Sequence, residues 1–161
     1  MTAQQYANHV KAELNDSWLA VIYCERILSM RTRSYHFEAF GRSSRVEIHH
    51  TLLGIELKVG RRRMLCPDLP TARYLSIFAR AGCTDVAVPY DITKVSQLAD
   101  ELESSWHRML LLADLSAAGE TPRLRSRIHG LLIAKLREEI AAAGSGPPVP
   151  HFKQTRSRAP V

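Results

Sequence analysis

With 161 residues, 45% of them hydrophobic and 24% charged, the chain is long and apolar enough for one domain with its own core, which excludes wholesale disorder. Twenty-two Lys and Arg against 16 Asp and Glu leave a formal charge of +6, a quantity that bears on solubility and on acidic partners rather than on fold. No apolar run reaches bilayer-spanning length and no basic-then-apolar leader opens the chain, so no membrane partner and a cytoplasmic location are expected.

Residues 3 to 30 read as helix. Tyr6, Val10 and Leu14 step by four, and Trp18, Val21, Ile22 and Leu28 continue the apolar face. Asn15-Asp16-Ser17 is a plausible break, because these side chains compete for backbone hydrogen bonds. One helix or two fit equally well. Cys24, Cys66 and Cys83 are odd in number and widely spaced, which reads as packed free thiols rather than a disulfide framework.

Residues 34 to 66 change period. Tyr35, Phe37 and Ala39 alternate with His36 and Glu38, and after a turn at 41 to 44, Val46, Ile48 and His50 alternate with Glu47 and His49. Beyond Gly54, Ile55, Leu57 and Val59 alternate with Glu56 and Lys58, and Gly60-Arg61 marks a tight turn into a return strand, Arg63 to Cys66. The expectation is an antiparallel meander of three or four strands.

Pro67-Asp68-Leu69-Pro70 starts a helix with Leu75, Phe78 and Ala79 on its apolar face, and Gly82 stops it. Val86 to Val88 form a short strand closed by Pro89. Asp91 or Thr93 caps a long helix carrying Val95, Leu98, Leu102, Trp106, Met109 and Ala113 on one face. Thr121 caps a last helix, with Pro122 in its first position, that runs to about Ala143. The order predicts a two-layer α+β domain over 1–143, with the last helix as an appendage or a homo-oligomer contact. Residues 144–161 read as a flexible basic tail rich in Gly, Pro and Ser, ending with Lys153, Arg156 and Arg158.

Three basic features suggest a polyanionic partner, nucleic acid or an acidic protein surface. Arg61, Arg62 and Arg63 sit together on a protruding turn, where they would straddle a phosphate backbone. The plainer reading is a soluble turn that discourages edge pairing. In the last helix Leu124, Ile128, Leu132, Leu136 and Ile140 form one stripe, and Arg123, Arg127 and Arg137 fall on the opposite face. Cations in a first turn oppose the helix dipole, so Arg123 and Arg127 point to a role outside the helix, or simply to a solvated face. Arg31, Arg33, Arg42 and Arg45 lie near other strand ends and would add to one patch if those ends cluster. No aromatic pattern of the RNA-recognition type accompanies them.

Catalytic signatures are few. There is no glycine-rich phosphate loop and no Gly-x-Ser-x-Gly elbow. His49 and His50 are adjacent on a strand and point to opposite faces, so no metal site is expected from the seven histidines. Glu56-Leu57-Lys58 places two charged side chains on one strand face, with Glu47 on the strand before. Together with the order helix, three-stranded meander, helix, strand over residues 20 to 90, this resembles nucleases of the PD-(D/E)xK type. The resemblance implies a Mg²⁺-dependent nuclease in which Glu56 and a first acid hold the ion and Lys58 helps activate water. Glu47 stands where that family carries Asp. An ordinary exposed Glu–Lys strand pair fits the same residues. The readings to be weighed are a non-enzymatic nucleic-acid-binding protein without cofactor, a protein-interaction adaptor and this nuclease.

Overall fold

In the computed structural model, which describes residues 1–37 and 45–146, helix α1 (Ala3–Leu14) opens with a capping box. The Thr2 hydroxyl accepts from the Gln5 amide at 3.1 Å and the Gln5 side chain accepts from the Thr2 amide at 2.7 Å. Both amides would otherwise lack a partner at the helix start. The break falls at Asn15–Ser17, a 3-10 turn that Asn15 enters with a positive φ of 47°. A short α2 (Leu19–Ile22) then runs into a single π-helical turn, Tyr23–Ile27.

Five strands and three longer helices follow. They are β1 (Thr32–His36), β2 (Val46–Thr51), β3 (Gly54–Val59), β4 (Arg62–Cys66), α3 (Leu69–Ala81), β5 (Asp85–Pro89), α4 (Ile92–Ser116) and α5 (Pro122–Ala143). Among the described residues they form two antiparallel sheets, the meander β2-β3-β4 and a ribbon β1-β5. The fold class is α+β, as the element order predicts.

The Tyr35 strand does not lead the meander. It pairs with β5 instead, Tyr35 opposite Val86 and Arg33 opposite Val88. Alternation assigns a strand its faces but not its partner, and β5, buried along Val86, Ala87 and Val88, has backbone groups that must be paired. The outer edge of β5 is closed by two tyrosines. The Ala87 amide donates to the Tyr23 hydroxyl at 2.9 Å, and the Tyr74 hydroxyl donates to the Ala87 carbonyl at 2.6 Å. The Tyr23 hydroxyl in turn donates to the Gly144 carbonyl at 2.6 Å, tying the end of α5 to the π turn. Burial pushes the Tyr23 phenol up to about 12 and holds Tyr74 well above the usual phenol range. Ala39 and the turn at 41–44 lie outside the described residues.

The meander lays one face on α3, burying Leu57 and Val59, and α3 packs its other side on α4. α1, α4 and α5 make a bundle, in which Lys11 and Glu139 pair at 2.6 Å and His129 meets Asp114 at 2.8 Å. In α5, Ile128, Leu132, Leu136 and Ile140 are fully buried, each contributing about 1.5–3 kcal/mol by leaving water. The stripe read as an appendage or homo-oligomer contact is therefore consumed inside the domain. Period alone shows that a helix has an apolar face and not which neighbour takes it. The contacts of the domain also run past Ala143, since Ser145 meets Ser34 at 2.8 Å. Residues 147–161 of the basic tail, with Lys153, Arg156 and Arg158, lie outside the described residues.

Candidate nucleic-acid interface

The three residues read as a nuclease set do share a surface. Glu47 lies opposite Lys58 and Glu56 opposite His49, so strand pleat puts Glu47, Glu56 and Lys58 on the meander face turned away from α3. The same face brings two further residues to this set. His49 meets Glu47 at 3.0 Å, and Arg63, opposite Lys58, reaches Glu56 at 3.6 Å. The His49 hydrogen bond holds the Glu47 carboxyl below the usual carboxylate range, helped by the charges of Lys58 and Arg45. Among the described residues, no group of three His, Cys, Asp or Glu side chains is spaced to hold a metal ion. The strand after α3 pairs with β1 and not with the meander, so the element order that carries the nuclease resemblance does not make one sheet here.

The arginines are dispersed. Arg61 is exposed in the two-residue turn between β3 and β4, where Gly60 at φ 61° supplies the positive φ that a type II′ hairpin needs at its first central position. Arg62 and Arg63 begin β4 beside it. Arg123 and Arg127 are exposed on the first two turns of α5, and their neighbour Arg125 is turned back onto the Glu120 carbonyl at 3.0 Å. Arg137 is used within the fold. It donates to the Ala81 carbonyl at 3.2 Å, at the C-terminal end of α3, where a cation also complements the helix dipole. The turn at Arg61–Arg63 belongs to the meander, and the start of α5 belongs to the helical bundle.

A different cluster does form. Pairing of Thr32 with Pro89 sets Arg31, Arg33 and Tyr90 side by side at one end of the ribbon. The Arg31 guanidinium lies 5.0 Å from the centroid of the Tyr90 ring and that of Arg33 lies 5.9 Å away, both within cation–π range. Neither arginine has an ion-pair partner among the described residues, and Tyr90 is 40% exposed. Met30, Arg31, Pro89, Tyr90, Asp91 and Lys94 line a surface cavity of about 460 Å³ here. Asp91 is occupied: its carboxylate accepts from the Thr93 amide at 3.0 Å and the Thr93 hydroxyl at 2.7 Å as the N-cap of α4, which keeps it below its ordinary range. Arg31 and Arg33 carry a weak signal in sequence. Tyr90 carries none, because nothing local says that a residue 57 positions beyond Arg33 returns to its side.

A larger groove, of about 560 Å³, runs between the Asn15–Ile27 segment and α4. Its lining has the opposite sign, with Asp16, Glu25, Asp100 and Glu101 against Arg26 and Arg108. Arg26 pairs with Glu101 across it, and Asp100 is held by Arg73 at 2.5 Å. A polyanion is repelled there and attracted at Arg31 and Arg33, so the ribbon end is the stronger candidate for an anionic ligand. The chain matches no protein-family model, no curated protein and no solved structure.

Proposed function

We propose that this chain is a non-enzymatic nucleic-acid-binding protein whose phosphate contacts come from exposed arginines. The observation that carries the reading is the pair Arg31 and Arg33. They are exposed, have no ion-pair partner among the described residues and lie by an exposed aromatic ring, and Lys94 lines the same cavity as Arg31. Arginine suits phosphate, because its planar fork donates two parallel hydrogen bonds and keeps its charge at any physiological pH. Arg61, Arg123 and Arg127 would lengthen the electrostatic footprint without adding sequence preference. Arg137, donating to the Ala81 carbonyl, is the poorest candidate of the residues singled out from sequence. The test is anisotropy of labelled DNA and RNA against rising salt. A linear fall of log affinity with log salt supports the reading, and absence of binding at low salt ends it.

A protein-interaction adaptor is the second reading, and one observation favours it. Leu52 and Leu53 at the tip of the β2–β3 hairpin are 106% and 84% exposed, with Leu65 on the neighbouring strand at 63%. Single exposed leucines are ordinary, but three at one end of a sheet are a contact surface in miniature. Replacing Leu52 and Leu53 by Ser tests it. Loss of a partner in a pull-down, with nucleic-acid affinity unchanged, would favour this reading. The nuclease reading stands on Glu47, Glu56 and Lys58, and Mg²⁺-dependent cleavage lost in Glu56→Gln would establish it.

A further inference from the structure

We infer that the ribbon-end site takes an unpaired nucleobase together with its flanking phosphate, so that the chain prefers single-stranded nucleic acid to duplex. The inference rests on the nucleic-acid reading and narrows it.

Three features at the ribbon end combine to this effect. Tyr90 offers an aromatic ring that is 40% exposed, where most large side chains of this domain are buried. Met30 and Pro89 make apolar walls beside it, in a cavity of about 460 Å³. Arg31 and Arg33 bring two guanidinium groups within 6 Å of the ring centroid, and Lys94 lines the same cavity as Arg31 and Tyr90. A cavity that wanted only phosphate needs neither the ring nor the apolar walls. A cavity that wanted only an apolar ligand does not need Arg31 and Lys94 in its lining, with Arg33 beside the ring. A nucleotide has both parts, a π-face and a charge.

The ring then decides between strands. In a duplex the base faces are covered by their neighbours, and only edges and phosphates reach a protein surface. In a single strand the faces are free, and stacking on an aromatic side chain or on an arginine plane is the common way of holding them. The guanidinium of Arg31 lies over the Tyr90 ring, so the stacking surface is the ring and the guanidinium plane together. Arg33, in β1, lies two residues beyond Arg31, which immediately precedes the strand, and both reach the Tyr90 ring, which extends the cationic track into β1. Asp91 gives the site a direction. Asp91 and Lys94 both line the α4 end of the cavity and offset one another, so the uncompensated positive charge, and with it the phosphate, belongs on the β1 side.

The same tyrosine is joined to the arginine through the backbone, since the Tyr90 amide donates to the Arg31 carbonyl at 3.2 Å. Side-chain substitution at Tyr90 leaves that bond in place, and the ring is a surface group, so variants here are expected to fold. Labelled oligo-dT and a mixed-sequence duplex of the same length are titrated with wild type, Tyr90→Phe and Tyr90→Leu at one salt concentration. Wild type is expected to bind oligo-dT more tightly than duplex. Tyr90→Phe should keep that preference, and Tyr90→Leu should lose on the order of tenfold or more on oligo-dT with little change on duplex. Duplex binding as tight as oligo-dT, or oligo-dT affinity unchanged in Tyr90→Leu, overturns the inference while leaving nucleic-acid binding intact. Wild type that binds neither probe at low salt overturns both together.

Discussion

Arg31 and Tyr90 are joined twice, by the backbone hydrogen bond from the Tyr90 amide to the Arg31 carbonyl at 3.2 Å and by the guanidinium lying 5.0 Å from the ring centroid. The first contact is a product of the β1-β5 pairing and fixes where the residues are. The second brings an aromatic face and a cation together at the surface. A ribbon whose main task is to complete β5 thereby also builds the only exposed arginine–tyrosine cluster among the described residues.

Arg31→Ala and Arg33→Ala should separate binding from stability. If each arginine holds one phosphate as proposed, the slope of log affinity against log salt should become shallower by about 0.7 to 0.9 for each. The cation–π contacts they lose are exposed and worth about 0.5–1 kcal/mol, so the thermal midpoint should move little. Salt titrations beside thermal melts check both halves.

Arg137→Ala should do the reverse. It removes the donor to the Ala81 carbonyl at the end of α3 and costs about 0.5–1.5 kcal/mol, with affinity for nucleic acid unchanged. Arg123→Ala/Arg127→Ala, at exposed positions, should instead weaken binding at low salt and leave stability alone. Urea unfolding of the two variants distinguishes the roles of three arginines that share one helix face.

Much of this was legible in the sequence, and the limits have physical causes. Turn chemistry acts over a few residues, so Asn15, Gly60, Gly82, Asp91 and Thr121 marked their breaks and caps correctly. Partnership acts over long separations and leaves no local trace. Alternation therefore groups the Tyr35 strand with the meander beside it in sequence rather than with β5, and the period of α5 leaves its stripe open to its own domain or to another copy, where in the fold α1 and α4 pack on it. The candidate site follows the same rule. Arg31 and Arg33 were visible as basic residues near a strand end, while Tyr90 needed the register of β1 on β5. Glu47, Glu56 and Lys58 share one face as their alternation predicts, but the arrival of His49 and Arg63 at the two carboxylates depends on strand register.

Leu132→Ala tests the assignment of α5 to its own domain. The side chain is fully buried between helices, and truncation should cost about 2–5 kcal/mol. Sedimentation of the folded variant should match that of wild type, because the stripe is already buried within its own domain. A change of association state without loss of stability would contradict the packing described here.

The tyrosine closure of β5 predicts a decline at high pH. Burial raises the Tyr23 phenol from 10.0 to about 12 and the Cys83 thiol from 9.0 to about 12, so the folded state keeps protons that the unfolded chain releases. Stability is then fully present below about pH 9 and falls progressively as pH rises toward 12. Tyr23→Phe removes one of these groups and should flatten that decline. It also leaves the Ala87 amide and Gly144 carbonyl without their partner, at a cost of about 1–3 kcal/mol at neutral pH. Thermal melts across pH 7 to 11 check the two effects in one series.

The most direct test of the account is the Arg31→Ala/Arg33→Ala double variant, titrated beside wild type into labelled oligo-dT at about 50 and 200 mM salt. Wild type should bind at the lower salt and weaken steeply at the higher one. The double variant, with an unchanged circular dichroism spectrum, should lose on the order of tenfold or more at the lower salt and show a slope shallower by about 1.4. Equal affinity and equal slope in the two proteins would contradict the claim that the ribbon end is where this chain holds phosphate.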